Sequence, residues 1–448
     1  MRMSKSVNFP IANENVAGID IGSKEHYVCV GQDTDCDVRS FSSYTSSLYE
    51  MVKWLKSRQV RKVAMESTGV YWRIPFALLQ DNGFDVILVN SSHTKNVSGK
   101  KTDMKDCQWI WKLHSAGLLH GSFQPDGYTE RLRVYSRRRR SLIRDASRCV
   151  NQMQKVLTLM NLHLPLVLSD ITGKSGQAII RAILDGERCA KVLAGLVDYR
   201  VKATQEEIAE ALTGFWRDSL VFELKQCWDS YHFHQAQIAA CDQQIESILE
   251  EQAEAHHVEG LVYDPVVKTR LRKNDPLPSI DRLAYQLSRG VDLLTIDGVG
   301  RSLLLSVLSE TGLDLPSKFL TYKHYVSWLG LCPNKKVSGG KVLSSKTPKT
   351  KNACAQAYRQ AALNVAKKRG TVLANFYQRI AYRSGKKAAI TATARKIAII
   401  VYKMLETKEP YSPKDLAEHQ EHLRQRRIRS IKKAMRQLEI GIADLEAA

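Results

Sequence analysis

Along residues 16–118 the apolar positions alternate between two spacings, one of two residues and one of three to four, and each change marks an element. Val16–Gly22 and Tyr27–Gln32 are short apolar runs of β-forming residues, and Cys36–Phe41 reads as the third strand of a meander. Leu48, Met51, Val52 and Leu55 then share one face of a helix over Ser46–Ser57. Strand Lys62–Glu66, helix Tyr71–Gln80, strand Asp85–Val89 and helix Met104–Ala116 follow. From Thr129 the pattern is helical and basic, with Arg131, Arg133, the run Arg137, Arg138, Arg139, Arg140, then Arg144 and Arg148. Residues 165–225 are irregularly helical and carry no motif. Within Trp228–Ala255, Tyr231, His234, Ile238, Cys241, Ile245 and Ile248 recur at alternating steps of three and four. That spacing suits a coiled-coil seam between chains, and equally an amphipathic helix packed inside one.

Pro265, Pro276 and Pro278 give residues 263–290 the look of a linker. Beyond it, Leu293–Ile296, Asp297-Gly298-Val299-Gly300 and Ser302–Ser309 read as helix, glycine hairpin and helix. A chain of 448 residues is long enough for two or three domains. The expected division is an α/β domain over 1–128, a helical and coiled-coil region over 129–262 and the linker. A basic, mainly α domain with a helix-hairpin-helix follows over 291–410, then a basic helical tail over 411–448. Three strands followed by helix–strand pairs is the element order of an RNase H-like fold, and other α/β folds share it.

Charge changes this picture more than composition does. The net charge is +21, yet between Asp314 and Glu406 there is no acidic residue and there are 19 Lys and Arg. The 48 basic residues outside that window nearly balance the 46 acidic ones. A solvated face mixes both signs, so a one-sign field of this length implies a polyanion, and nucleic acid fits better than an anionic membrane. No stretch has the apolar length of a bilayer span, and the N-terminus lacks a signal-peptide core. Nine scattered cysteines without a C-x-x-C pair suit thiols in a reducing cytoplasm and exclude a disulfide framework or a zinc ribbon.

Four carboxylates fall where the expected α/β fold gathers them. Asp20 lies on the first strand in Gly18-Ile19-Asp20-Ile21-Gly22, Glu66 ends the fourth strand, and Asp103 and Asp106 sit three apart at a helix start. Such hard oxygen donors suit Mg²⁺ or Mn²⁺, which in pairs hold both oxygens of an in-line phosphoryl transfer. The competing reading has Asp103 and Asp106 favouring the helix dipole beside Lys101 and Lys105, with Glu66 capping the next helix. Gly298 and Gly300 in the hairpin leave backbone N–H groups open to a phosphate, or merely cap a helix. Ser338, in Val337-Ser338-Gly339-Gly340-Lys341, reads from the residues alone as part of an ordinary glycine turn. Around it stand Lys335, Lys336, Lys341, Lys346, Lys349 and Lys351, with no acid near enough to act as its base.

Three blocks carry a family resemblance: Gly18-Ile19-Asp20-Ile21-Gly22-Ser23-Lys24, Met65-Glu66-Ser67-Thr68-Gly69-Val70-Tyr71-Trp72 and Lys101-Thr102-Asp103-Met104-Lys105-Asp106. Together they resemble the signature blocks of the DEDD insertion-sequence transposases, the family numbered one-ten with its eleven-eleven subgroup. Cys107 stands where a small residue commonly follows the last Asp. A second region, Leu294 to about Lys368, is similar to the family's C-terminal transposase domain through Ile296–Gly300, Trp328-Leu329-Gly330-Leu331-Cys332-Pro333 and Val337–Lys341. Lys351-Asn352 replaces the family's usual Gly-Asn, ahead of a helix over Ala353–Val365 that carries Arg359.

The resemblance implies a RuvC-like first domain whose metal ligands and catalytic acids are Asp20, Glu66, Asp103 and Asp106. It implies Ser338 as nucleophile, with Ser344 and Ser345 ranked below it. The reaction implied is Mg²⁺-dependent strand exchange through a serine-linked DNA intermediate, guided by a structured RNA from the element. Donor and target DNA would be the partners, in a prokaryotic, nucleoid-associated setting, with subunits paired into a dimer or tetramer. Arg137–Arg140 and the tail Arg424–Arg436 would hold RNA, or serve as general phosphate contacts or solvated helix faces. Two other functions share these features. A junction nuclease would use the same acids with metal-activated water, and a non-catalytic binding protein would need only the hairpin and the lysines.

Overall fold

The computed structural model describes residues 10–31, 37–90, 103–265, 270–348 and 352–412, together with isolated positions between 421 and 435. For Asp103 it describes the backbone alone. The chain forms two compact units, Met1–Gln124 and Pro125–Ala448.

The first unit is built on a five-stranded sheet of β1 (Val16–Ile21), β2 (Glu25–Cys29), β3 (Val38–Ser42), β4 (Lys62–Glu66) and β5 (Asp85–Val89), in the order β3-β2-β1-β4-β5. β1, β2 and β3 are antiparallel neighbours, whereas β4 pairs parallel with both β1 and β5. The parallel pairs follow from their connections, because α1 (Thr45–Ser57) and α2 (Arg73–Asp81) each carry the chain back along the sheet. Leu48, Met51, Val52 and Leu55 of α1 and Phe76 and Leu79 of α2 cover one sheet face, made by Ile19, Ile21, Val63, Met65, Val86 and Leu88. The other face carries α3 (Asp103–Ser115), whose Cys107, Ile110 and Trp111 meet Val16, Cys29, Ala64 and Val89. This is the expected mixed α/β unit, compatible with a DEDD RNase H-like domain.

Two boundaries differ from expectation for local reasons. β2 starts at Glu25 rather than Tyr27, because a tight turn in which the Gly22 N–H donates to the Glu25 carbonyl (3.0 Å) brings the strands together earlier. α2 starts at Arg73 rather than Tyr71, because Gly69 has φ +55° and the chain turns through the next residues.

The second unit is mostly helical. α4 (Gly127–Leu159) starts at Asp126, whose carboxylate accepts the Thr129 N–H at 2.7 Å. Four short helices between Leu164 and Ala211 lead to α5 (Asp218–Ala255). α4 and α5 run antiparallel, because Arg131 pairs with Glu251, Arg139 with Asp242, and Gln152 lies beside Cys227. Tyr231, Ile238 and Cys241 of the expected seam join the core of α4 residues Leu142, Cys149, Met153 and Val156. The seam therefore packs within the chain, the second of the two readings of its spacing. His234 sits half-buried at its edge.

Part of the expected linker folds. α6 (Ser279–Leu287) buries Ile280, Leu283 and Ala284, with Pro278 at its start, where the missing N–H costs nothing. The first helix of the expected helix-hairpin-helix is only a 3₁₀ turn, Leu293–Thr295, and its second is α7 (Arg301–Glu310). A one-turn helix at Leu315–Lys318 precedes α8 (Tyr322–Trp328), the hairpin of β6 (Lys336–Ser338) and β7 (Lys341–Ser344), α9 (Ala353–Ala366), α10 (Val372–Ser384) and α11 (Lys386–Thr407). Tyr325, Tyr358 and Tyr402 fill this core; the first two share a hydroxyl contact at 3.1 Å and Tyr402 donates to the Phe319 carbonyl at 2.7 Å. Among the described residues no helix is long and apolar enough to cross a membrane.

Candidate functional site

The acidic face of the first unit follows from strand alternation. Ile19 of β1 pairs with Met65 of β4, and both point into the core beneath α1 and α2. The next residues, Asp20 and Glu66, therefore point to the opposite face, at matching carboxyl ends of adjacent parallel strands. Open α/β sheets bind ligands at that end. α3 lies on the same face and starts with Asp103, with Asp106 one turn on. Asp20, Glu66 and Asp106 are all half-buried.

Gly18 sets how closely α3 approaches. A Cβ there would lie 2.3 Å from the Trp111 nitrogen and 2.7 Å from the Cys107 carbonyl oxygen, so only glycine lets the helix backbone rest on β1. The Trp111 indole N–H donates to the Val16 carbonyl at 3.0 Å and fixes the helix along the strand. Cys107, beside Asp106, is buried; desolvation pushes its thiol well up, and the nearby Cys29 and Asp20 charges add to the shift. Cys107 is thus an inert packing group, and it places Asp20 next to the first turns of α3. Among the described residues, no group of three or more His, Cys, Asp or Glu is gathered closely enough to hold a metal ion. The donor set, all carboxylate oxygens on one face, nonetheless has the chemistry of a hard divalent cation.

In the second unit Ser338 ends β6, and Gly339 and Gly340 form the two-residue turn to Lys341. Their φ values of +53° and +75° are those of a type I′ hairpin turn, which side-chain-bearing residues adopt only under strain. The expected glycine loop is thus the tip of a short hairpin, with Ser338, Lys335, Lys336, Lys341 and Lys346 all exposed. Val337, Val342 and Leu343 are exposed as well. Ser344 is turned instead toward its own chain, where its Oγ accepts the Lys346 N–H at 3.3 Å. Lys349 and Lys351 lie outside the described residues, as does most of the tail from Arg424 to Arg436.

Gly298 and Gly300 separate in role. Gly298 has φ +82°, and a Cβ on it would meet Val365 Cγ2 at 2.5 Å and the Ala361 carbonyl oxygen at 2.6 Å, so its glycine serves packing against α9. Gly300 faces open space and precedes α7 as an N-cap whose side chain supplies no hydrogen bond.

The arginine run also divides. Arg139 is buried and holds Asp242 through its Nε (2.7 Å) and Nη2 (3.2 Å), with further bonds to the carbonyls of Asn274 and Asp275. Burial pushes the Asp242 carboxyl up and the Arg139 bonds pull it part of the way back. This removes Arg139 from the residues that can face a phosphate. Arg133, Arg137 and Arg140 surround the buried carboxylate of Glu310 at 3.3, 2.8 and 3.6 Å. Three guanidiniums on one carboxylate leave surplus positive charge. Arg138 is exposed, and Arg359 is half-buried on α9. A helical wheel shows Arg139 on the apolar face of α4, the signal that separates it from its neighbours; the partnership with Glu310 had no local signal.

Two family models match the chain. One, for the DEDD transposase of the IS110 type and described as a transposase, covers residues 17–162. The other, described as the transposase IS116/IS110/IS902 family, covers residues 292–378. No individually curated protein matches it.

Proposed function

We propose that this chain, with transposase domains over residues 17–162 and 292–378, is a DNA transposase that cuts and rejoins strands through a phosphoserine intermediate at Ser338. The observation that carries the reading is the placement of Asp20 and Glu66 at matching ends of adjacent parallel strands, on the face where α3 begins with Asp103 and Asp106. Those four carboxylates would hold Mg²⁺ or Mn²⁺, which when bound supplies Lewis-acid charge at the reacting phosphate. Ser338 contributes an exposed hydroxyl on a rigid turn. Its Oγ loses a proton and bonds to phosphorus, while the bond from phosphorus to one strand oxygen breaks and that oxygen takes up a proton. Attack by a strand hydroxyl on the phosphoserine then frees Ser338 and joins the new strand. Lys336 and Lys341, flanking Ser338, stabilise the charge that builds on the phosphate. Guidance by a structured RNA belongs to this reading, with the acid-free window from 315 to 405 as the main polyanion surface.

The test compares wild-type protein with Asp20→Asn and Glu66→Gln on element-end DNA with Mg²⁺. Both variants should lose cutting and keep their affinity, because phosphate affinity resides in Lys and Arg. Cutting at the wild-type rate by Asp20→Asn refutes the acid centre.

A further inference from the structure

The second unit holds a cleft of about 1600 Å³ between α4, the glycine turn before α7, and one face of α9, closed on its fourth side by the segment 270–275. Arg139 builds that fourth wall: its Nη1 and Nη2 donate to the Asn274 and Asp275 carbonyls at 3.2 and 2.9 Å and hold the segment to α4. The charge of the cleft is one-sided. Arg140, Arg272 and Lys367 line it, and the two carboxylates in its wall are already engaged. Asp297 accepts from Lys368 Nζ at 2.8 Å, and Asp275 accepts the Arg272 backbone N–H at 3.0 Å.

The α9 wall has a different chemistry. Gln356, Gln360 and Asn364 follow one another at steps of four and form a single stripe along the cleft. Ala353, Ala357 and Ala361 beside them keep the stripe accessible, and Gln356 and Gln360 are exposed. A side-chain amide presents donors and an acceptor on one planar end, the complement of a nucleobase edge. Cations on one side and a line of amides on the other match a ligand with a charged backbone and planar polar bases.

We propose that this cleft takes an unpaired polynucleotide strand, with its phosphates against Arg140, Arg272 and Lys367 and its bases against Gln356 and Gln360. A duplex is disfavoured because its base edges lie at the floor of grooves about 8.5 Å deep, out of reach of amides in a cleft wall. The inference rests on reading the chain as a nucleic-acid enzyme, but not on the chemistry of the acid centre. DNA and RNA share the chemistry named, and the experiment separates them.

Fluorescence anisotropy of short labelled DNA and RNA strands, and of a matched duplex, would be measured with the full chain over a range of salt. Arg272→Glu combined with Lys367→Glu should weaken strand binding about tenfold or more and lower the slope of log affinity against log salt by about one unit. Gln356→Ala combined with Gln360→Ala should weaken binding about tenfold and leave the slope unchanged, because no phosphate contact is lost. Arg383→Glu, exposed on α10 and outside the cleft, is the control and should have a smaller effect than either pair. The tighter of the DNA and RNA arms identifies the strand. Equal losses in Arg383→Glu and the cleft variants, wild-type binding by both cleft variants, or equal losses on the duplex overturn the proposal.

Ultraviolet crosslinking of the wild-type chain gives a reading independent of variant folding. The labelled peptides should include 353–368, and labels confined elsewhere overturn the proposal. Asp20→Asn protein should bind the strand as wild type does, so a failed acid centre and a failed cleft give different results.

Discussion

Gly18 on β1 and Trp111 on α3 touch through their backbones, so closely that a single added carbon on Gly18 would lie 2.3 Å from the Trp111 nitrogen. This contact lets the helix that bears Asp106 lie directly on the strand that bears Asp20. Gly18→Ala must push the helix away, because the atoms it meets belong to backbone and cannot rotate aside. We expect a loss of about 1–3 kcal/mol in denaturant unfolding, the usual cost of overpacking a filled core. Cutting should fall further than the unfolded fraction explains, with DNA affinity little changed. Wild-type stability in Gly18→Ala would show that the helix is not seated as described.

The buried pair of Arg139 and Asp242 gives a second test. Asp242→Ala strands a guanidinium that is 6% exposed, and should cost about 3–5 kcal/mol, read from the shift of the urea midpoint. Arg138→Ala, on the exposed side of the same helix, should stay within about 0.5 kcal/mol of wild type. Equal effects at the two positions would contradict the inward placement of Arg139.

The first unit should weaken in mild acid. Burial lowers the pKa of His26, and burial together with the Lys62 charge lowers that of His114. His26 Nδ1 and His114 Nε2 have no hydrogen-bond partner among the described residues. The unfolded chain takes up these protons near pH 6.5, whereas the folded one resists until lower pH. Stability is therefore complete above about pH 6.5 and declines as pH falls toward the lowered folded values, by at most about 1.4 kcal/mol per histidine per pH unit. Melting temperatures of the full chain at descending pH should show the decline, and His26→Leu should flatten it. A melting temperature that stays level through this range, or an unchanged slope in His26→Leu, would contradict the buried neutral histidines.

Much of the first unit was legible because its signals are local. Alternation placed Ile19 and Met65 on one face and Asp20 and Glu66 on the other, and helical spacing put Leu48, Met51, Val52 and Leu55 in the core. Features set by distant contacts were not legible. The spacing of Tyr231, Ile238 and Cys241 does not say whether the partner helix belongs to the same chain, and it is α4 of this chain. Pro276 and Pro278 suggested a linker, yet Ser279–Leu287 forms a helix because Ile280 and Leu283 find a core and Asp281 finds Arg301. The cleft joins residues from near 140, 272 and 356–367, which no motif connects.

The hairpin should matter to chemistry more than to folding. Gly339 and Gly340 both have positive φ, and a β-branched residue there is strained. Gly340→Val should displace Ser338 and reduce joining of DNA to protein, while the melting temperature, set by the core around Tyr325, stays within a few degrees of wild type. Unchanged joining in Gly340→Val would show that the turn does not position the serine.

The central claim is that Ser338 becomes covalently bonded to a DNA strand and that the acid face of the other unit makes this possible. The most direct measurement incubates the protein with Mg²⁺ and end-labelled element DNA, denatures it, and maps the peptide that carries the labelled strand. The expected result is an adduct on the peptide containing Ser338. It should persist in Ser344→Ala and disappear in Ser338→Ala and in Asp20→Asn. Normal cutting and rejoining by Ser338→Ala, with no adduct in any sample, would contradict the serine mechanism and leave a nuclease that uses water.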